Sequence, residues 1–84
     1  MTNNRKIIAV MPAYNSAKTI EMSVKAIPPE VIDEIILVDD GSIDDTSAVG
    51  KHMGLVTLRH EKNLGYGAAQ KTGFTEALKR GATA

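Results

Sequence analysis

Three short, largely apolar runs divide the chain. They lie at residues 7–11, 34–39 and 55–58, and the second has Glu34 and Asp39 at its ends. A strand that is buried on both faces of a sheet is apolar throughout, whereas a strand with one face in water alternates between apolar and polar residues. The three runs therefore predict three strands of a parallel sheet.

The segment between the first two runs has the spacing of a helix. Apolar residues recur there at intervals of three or four, namely at Ala17, Ile20, Val24 and Ile27. This spacing places them on one face, which predicts a helix with a single buried stripe. Asn15 or Ser16 is expected to cap its start, and the prolines at residues 28–29 are expected to stop it.

Two further helices are predicted at residues 46–53 and 67–80. The first is expected to be capped by Asp44 or Asp45 and to end at Gly54. The second carries a stripe of small residues at i, i+4 spacing, namely Ala69, Gly73 and Ala77. Because small side chains let a helix lie close to a sheet, this stripe predicts a packing face, and Phe74 and Leu78 are expected to join the core.

The predicted order of elements is β-α-β-α-β-α over residues 1–84, which form one small domain. The short connections suit right-handed crossovers, so the fold class is α/β, with a parallel sheet in a three-layer, Rossmann-like arrangement. Ligands of such sheets bind beyond the carboxyl ends of the strands. Three polar segments rich in turn residues converge on that edge, at residues 12–15, 39–42 and 59–67.

The composition narrows the classes of function. Lys plus Arg and Asp plus Glu number 10 each, so the charge balance predicts no nucleic-acid partner. The sequence has no cysteine, which excludes disulfides and thiolate metal sites. No apolar stretch of the sequence reaches the roughly 18 residues of a membrane span, and the default compartment is the cytoplasm.

Two adjacent carboxylates follow the second predicted strand. An ionised aspartate accepts hydrogen bonds, for example from a base N–H or a ribose hydroxyl. Adjacent side chains at a strand end point to opposite sides, so we expect one of the two, Asp39, to face a ligand. Asp40 is expected to belong to a polar turn with Gly41 and Ser42.

The other candidates flank this pair. Tyr14 carries an aromatic ring that can stack on a nucleobase. Arg59 and the amides at the start of the third helix suit a pyrophosphate, and Gly65 allows close approach of a backbone to a ligand. The chain's two histidines, at positions 52 and 60, lack partners at metal-ligand spacing, and no Ser/His/Asp set with a nucleophile is expected.

Three motifs together resemble the inverting glycosyltransferase family 2, and within it the dolichyl- or polyprenyl-phosphate mannose and glucose synthases. They are VMPAYN at residues 10–15, ILVDDGS at residues 36–42 and NLGYGAA at residues 63–69. The resemblance implies that residues 1–84 are the incomplete, N-terminal nucleotide-binding part of a catalytic domain. Their fold would be half of the GT-A fold of nucleotide-diphospho-sugar transferases.

The resemblance also implies a nucleotide site. In this family the Pro-x-Tyr-Asn loop and the strand-end aspartate hold the base and ribose, and the loop before the third helix adds contacts. The implied nucleotide-binding residues are Pro12, Ala13, Tyr14, Asp39, Arg59, Asn63 and Gly65. Many lipid-phosphate members carry Glu directly after Tyr-Asn, where this chain has Ser16, so the contact made by that Glu is not expected here.

For the full-length enzyme, the resemblance implies a UDP- or GDP-sugar donor, an acceptor such as a lipid phosphate, and a divalent cation, Mg²⁺ or Mn²⁺. The family's metal-binding Asp-x-Asp motif, catalytic base and acceptor site lie beyond residue 84. We therefore expect no cation, no catalytic residue and no transferase activity in this chain alone. Any membrane attachment would also lie in the remaining portion.

The next strand of a GT-A sheet pairs with the first strand. Without it, residues 7–11 would form an open apolar edge, so self-association through this edge is expected.

Two other interpretations compete with this one. The first is a nucleotide-binding or regulatory α/β module that never catalyses, which predicts nucleotide binding without metal dependence. The second is a receiver domain or a haloacid-dehalogenase-like phosphatase, and both fit poorly. A receiver has its phosphoacceptor aspartate where this chain has Arg59, and the phosphatase has Asp-x-Asp where this chain has Pro12-Ala13-Tyr14. The donor nucleotide, the sugar and the acceptor are left open.

Overall fold

A computed structural model describes residues 5–83 and confirms the predicted α/β order. In chain order the elements are β1 (Ile8–Ala13), α1 (Ile20–Lys25), β2 (Glu34–Asp39), α2 (Thr46–His52), β3 (Val56–Arg59) and α3 (Tyr66–Lys79). The three strands are parallel and lie in the order β1-β2-β3, so β2 is central. Among the described residues, no helix combines the length and apolarity that crossing a membrane requires.

The alternation of side chains along β2 divides the core into two layers. Ile36 and Val38 lie on one face and pack against α3, while Leu37 lies on the other face with residues of α1 and α2. All three side chains are fully buried, as the apolar run predicted. The helices therefore cover both faces of the sheet in the predicted three-layer arrangement.

The stripe of small residues on α3 packs against the sheet, as predicted. Ala69, Gly73 and Ala77 are buried, and a Cβ atom on Gly73 would collide with the Val10 side chain. The prediction that Phe74 and Leu78 join the core is wrong, because they are 54% and 72% exposed. Each follows a buried stripe residue by one position, which is about 100° further around the helix.

The strand β1 continues past the predicted turn. It includes Pro12, which pairs with Val38, and ends at Ala13. Pro12 has no N–H to donate, and this is tolerated because, within residues 5–83, β1 has a neighbouring strand on one side only. Beside the start of β1, the Thr83 N–H donates to the Lys6 carbonyl over 2.8 Å.

The start of α1 also differs from the prediction. The helix begins at Ile20, and neither Asn15 nor Ser16 caps it, since Thr19 occupies the N-cap position without a side-chain bond. The amides of residues 15–17 are instead bound by side chains of the turn after β2. For α2 the N-cap position is Asp45, one of the two predicted residues, but its side chain makes no cap bond. The carboxylate of the preceding residue, Asp44, accepts from the Thr46 N–H over 3.0 Å.

Candidate functional site

The carboxyl ends of the strands bring the predicted segments together. Ala13, Asp39 and Arg59 form one row across the sheet, because Ala13 pairs with Asp39 and Asp39 pairs with Arg59. Arg59 is the last residue of β3 and not, as predicted, the first residue of a loop. The convergence at this edge is therefore confirmed.

Beside this row lies a cleft of about 210 Å³. Its lining residues are Pro12, Ala13, Tyr14, Asp40, Asn63, Gly65, Tyr66 and Ala69. Five of the seven residues implied for nucleotide binding line it, and the other two, Asp39 and Arg59, do not. Asp40 was expected only in a turn, yet it is the aspartate of the pair that lines this cleft. The role of Asp39 as a nucleotide contact stays a prediction.

The loop that carries Tyr14, on one side of the cleft, is held in place by residues that follow β2. Asn15 adopts a left-handed backbone conformation, with a φ of 50°. Its N–H donates to the Ser42 hydroxyl over 2.7 Å, and its side-chain oxygen accepts from the Ile43 N–H over 3.0 Å. The Ser16 N–H donates to the Thr46 hydroxyl over 2.9 Å. These bonds fix the loop and leave the Tyr14 ring about half exposed.

Asp39 is fully buried and holds Arg59 in place. Its Oδ1 accepts from the Ser42 N–H over 2.9 Å, and its Oδ2 accepts from the Ser47 hydroxyl and from Arg59, the latter over 2.8 Å. Arg59 also donates to the Ser42 carbonyl over 2.9 Å, and its side chain is 46% exposed. The exposed part of the Arg59 side chain is therefore open to a ligand, whereas the Asp39 carboxylate is fully buried and both of its oxygens already accept bonds.

The charge state of Asp39 follows from this environment. Burial raises the pKa of its carboxyl group, but the hydrogen bonds from Ser42 and Ser47 and the positive charge of Arg59 outweigh it. The pKa is therefore lower than usual, and Asp39 is ionised at neutral pH.

Asp40 ties the loop after β3 to the end of β2. Its carboxylate accepts from the backbone N–H groups of Leu64 and Gly65 over 2.9 and 2.8 Å and from His60 Nδ1 over 2.8 Å. The bond from His60, followed by that from Leu64, lowers the pKa of Asp40. His60 Nε2 lies 2.8 Å from the Thr72 hydroxyl. His60 therefore has hydrogen-bond partners that its sequence spacing did not indicate, since Asp40, His60 and Thr72 form a continuous hydrogen-bonded row.

Sequence reasoning missed Tyr66 as a lining residue. This tyrosine begins α3, is exposed, and accepts a hydrogen bond from the Gln70 amide over 3.1 Å. With Tyr14 it gives the cleft two aromatic side chains. The available signal was an aromatic residue between Gly65 and Gly67 at a predicted helix start.

The carboxylates at this edge do not fit a divalent cation. Those of Asp39 and Asp40 accept hydrogen bonds from protein donors on both oxygens. Within residues 5–83, no three His, Cys, Asp or Glu residues are grouped so that they could hold a metal ion. No step of a reaction can therefore be assigned to a metal held by these residues.

A larger hollow of about 300 Å³ lies at the opposite, amino-terminal edge of the sheet. Its walls are mainly apolar, and its two acidic residues are Asp33 and Glu34. Asp33 accepts from the Ile7 N–H over 2.7 Å, and Glu34 pairs with Lys6 and Arg80 over 2.9 and 2.7 Å. The acidic groups of this hollow are thus engaged in contacts that stabilise the fold. The cleft at the carboxyl edge of the sheet is therefore the better candidate site.

Comparison with known proteins gives a family match. The family model described as Glycosyl transferase family 2 matches residues 8–80. An uncharacterized protein of Methanocaldococcus jannaschii is 41% identical over 76 residues, which cover 90% of this chain and 31% of that protein. A UDP-N-acetylglucosamine–dolichyl-phosphate N-acetylglucosaminyltransferase of Methanococcus voltae is 31% identical over 96 residues, which cover 94% of this chain and 38% of that protein.

A third relative extends this pattern. An uncharacterized glycosyltransferase of Rickettsia conorii is 34% identical over 84 residues, which cover 90% of this chain and 13% of that protein. The chain thus spans between 13% and 38% of the length of these three relatives. No solved structure gives a significant match.

Proposed function

The chain belongs to glycosyl transferase family 2, and we propose that its carboxyl-edge cleft binds the nucleotide of a UDP- or GDP-sugar donor. The observation that carries this proposal is the meeting of Pro12, Ala13, Tyr14, Asn63 and Gly65 in one cleft, at the same strand edge where β3 ends at the half-exposed Arg59. These residues come from two segments, at residues 12–14 and 59–65, that are far apart in the sequence.

The chemistry of the cleft suits the parts of a nucleoside diphosphate. The rings of Tyr14 and Tyr66 offer flat apolar surfaces for a base, and stacking on an aromatic ring contributes about 1–3 kcal/mol. Arg59 offers charged N–H groups for phosphate or ribose oxygens. Asp39 holds Arg59 at the sheet edge through the bond from the guanidinium to its carboxylate.

The size of the cleft supports a half-site. Pockets for drug-sized ligands have volumes of about 300–1,000 Å³, and this cleft has about 210 Å³. The chain therefore supplies the base-binding part of the donor site, and other residues of the full-length enzyme complete it.

The full-length enzyme is proposed to transfer a sugar to a lipid phosphate such as a polyprenyl phosphate. The relative from Methanococcus voltae, named as a dolichyl-phosphate N-acetylglucosaminyltransferase, supports this acceptor class. In this proposal the enzyme works on the cytoplasmic side of a membrane, and Mg²⁺ or Mn²⁺ is held by residues outside this chain. This chain alone contributes donor binding without transfer.

Isothermal titration of the chain with UDP and with GDP, each with and without Mn²⁺, tests donor binding. We expect one of the two nucleotides to bind with an affinity that Mn²⁺ does not change. Tyr14→Ala is expected to weaken that binding about tenfold through the loss of stacking. Phe74→Ala is the matched control, because Phe74 is 54% exposed and Tyr14 49% exposed, and Phe74 lies outside the cleft.

Two results would oppose donor binding by this chain. One is the absence of heat with both nucleotides from a sample that melts cooperatively. The other is an equal loss of affinity in Tyr14→Ala and Phe74→Ala, which would place the bound nucleotide elsewhere.

Self-association through the free edge of β1 is proposed as a second property of the chain. No strand in residues 5–83 pairs with the outer side of β1, and the exposed side chains of Phe74 and Leu78 lie beside it in an apolar groove. We expect sedimentation velocity to show dimers that increase with concentration. Leu78→Lys should shift them to monomers, while Met22→Lys, at a similarly exposed position on α1, should not. A monodisperse wild-type monomer would oppose the proposal.

A further inference from the structure

His60 connects three elements at the end of β3. Its backbone N–H donates to the Asp39 carbonyl over 2.9 Å, and its imidazole bonds to Asp40 on one side and to Thr72 of α3 on the other. The side chain is only 11% exposed. Neither the family match nor the predicted nucleotide contacts assign it a role.

The hydrogen-bonding capacity of the partners determines the proton at Nδ1. Ionised Asp40 only accepts hydrogen bonds, so His60 Nδ1 carries a proton and donates it. The Thr72 hydroxyl both donates and accepts, so it serves His60 Nε2 in either charge state of the ring. The bond from Nδ1 to Asp40 therefore persists whether or not the imidazole is charged.

In the loop that His60 reaches through Asp40, the part from Leu64 onward has few side-chain contacts. Leu64 is an exposed apolar residue, and a Cβ atom on Gly65 or Gly67 would meet no atom within 4 Å. Gly65 has a φ of 104°. The bonds from the Leu64 and Gly65 amides to the Asp40 carboxylate are thus the main polar contacts that hold this part of the cleft wall in position.

We infer that His60 is a positioning residue of the nucleotide cleft. By donating to the same Asp40 oxygen that accepts from Leu64, it fixes the rotation of the carboxylate. The carboxylate in turn holds the amides next to Asn63 and Tyr66, which line the cleft. The inference rests on the proposed function in one respect. A displaced cleft wall would weaken nucleotide binding because the cleft is proposed to be the nucleotide site.

Two substitutions of His60 test the roles of its two ring nitrogens separately. In His60→Asn the amide nitrogen is attached to Cγ, as Nδ1 is, and keeps a donor for Asp40. In His60→Gln the amide nitrogen reaches the position of Nε2, so the donor to Asp40 is lost while a partner for Thr72 is kept. Thr72→Val removes only the hydroxyl, and Ile36→Val is a core control in the middle of β2.

Hydrogen exchange of the Leu64 and Gly65 amides and nucleotide titration are measured on each variant. We expect His60→Gln to speed exchange at both amides and to weaken nucleotide binding, each about tenfold, as the loss of a charge-assisted hydrogen bond implies. His60→Asn should stay within about threefold of wild type in both measurements. Thr72→Val and Ile36→Val should lower the melting temperature without changing exchange at these amides relative to the rest of the chain.

Equal effects of His60→Asn and His60→Gln would overturn the inference, as would faster exchange spread evenly over the whole chain. A wild-type chain that binds neither nucleotide would refute the proposed function, and exchange at Leu64 and Gly65 would still decide whether His60 positions the loop.

Discussion

Replacing Gly41 with alanine is expected to lower the free energy of unfolding by about 2–5 kcal/mol. This range has two parts. Gly41 has a φ of 77°, a left-handed conformation that costs an L-residue with a side chain about 1–2 kcal/mol. A Cβ atom at this position would also lie 2.5 Å from the Lys62 carbonyl carbon and 2.6 Å from the Asn63 nitrogen. Relief of that overlap costs about 1–3 kcal/mol more, because the atoms belong to a backbone.

The same change is expected to disturb the candidate site. The Gly41 turn and the loop at residues 62–65 touch each other, so the loop must move away from the turn to admit a methyl group. Asn63 and Gly65, which line the cleft, move with it. Nucleotide binding should therefore be lost in Gly41→Ala even at temperatures where most of the chain is folded.

Gly54→Ala is the matched control for this prediction. Gly54 has a φ of 80°, nearly that of Gly41, but a Cβ atom there would meet no atom within 4 Å. Gly54→Ala is therefore expected to lower the free energy of unfolding by only the conformational cost of the left-handed backbone, about 1–2 kcal/mol. Urea unfolding of the two variants measures the difference directly. If both variants lost the same free energy, the close approach of the residue 62–65 loop to Gly41 would be wrong.

The strands could be predicted from the sequence because burial on both faces leaves a simple pattern. Ile36, Leu37 and Val38 are consecutive and apolar, and alternate side chains of β2 enter opposite layers. The edge where the site lies follows from parallel topology alone. The convergence of Tyr14 and Asn63 near β2 was therefore predictable without coordinates.

The helix faces and the polar contacts could not be predicted in the same way. Phe74 and Leu78 have core-like side chains, but their exposure is decided by which face of α3 the sheet contacts, and the small stripe takes that contact. The loop before α1 was predicted to be a helix start because Asn15 and Ser16 are residue types that cap helices, but its amides have side-chain partners elsewhere. Those partners, among them Ser42 and Thr46, follow a later strand and are brought near only by the fold.

Asp39 and Asp40 show the same limit of sequence-based prediction at the candidate site. Sequence reasoning indicated correctly that Asp39 and Asp40 point to different sides, from the alternation along a strand. Only Asp40 lines the cleft, where it binds His60, whereas Asp39 binds Arg59. No spacing within residues 39–42 carries that information.

Asp39→Asn is expected to lower the free energy of unfolding by about 2–4 kcal/mol, although the two side chains have nearly the same shape. The Asp39 carboxylate is fully buried and accepts from three donors, on Ser42, Ser47 and Arg59. An asparagine has one oxygen, so its NH₂ group must face at least one of these donors. The variant thus loses charge-assisted bonds and leaves a buried donor without an acceptor. Arg59 is also released from the sheet edge.

Asp45→Asn is the control, since it removes the same charge from the next turn. Asp45 is exposed and makes no side-chain cap bond, so its replacement should change stability by no more than about 0.5 kcal/mol. Urea unfolding at neutral pH compares the two variants.

The pH dependence of unfolding provides an independent check on Asp39. A carboxyl group with a depressed pKa in the folded state stabilises the fold above its unfolded pKa of about 3.9, and this contribution is lost as the pH falls through the folded pKa. The unfolding free energy of the wild type should therefore decrease below about pH 4, and that of Asp39→Asn should decrease less over the same range. Parallel pH curves for the two proteins, or equal stability of Asp39→Asn and Asp45→Asn, would mean that the Asp39 carboxylate does not hold this edge of the sheet together.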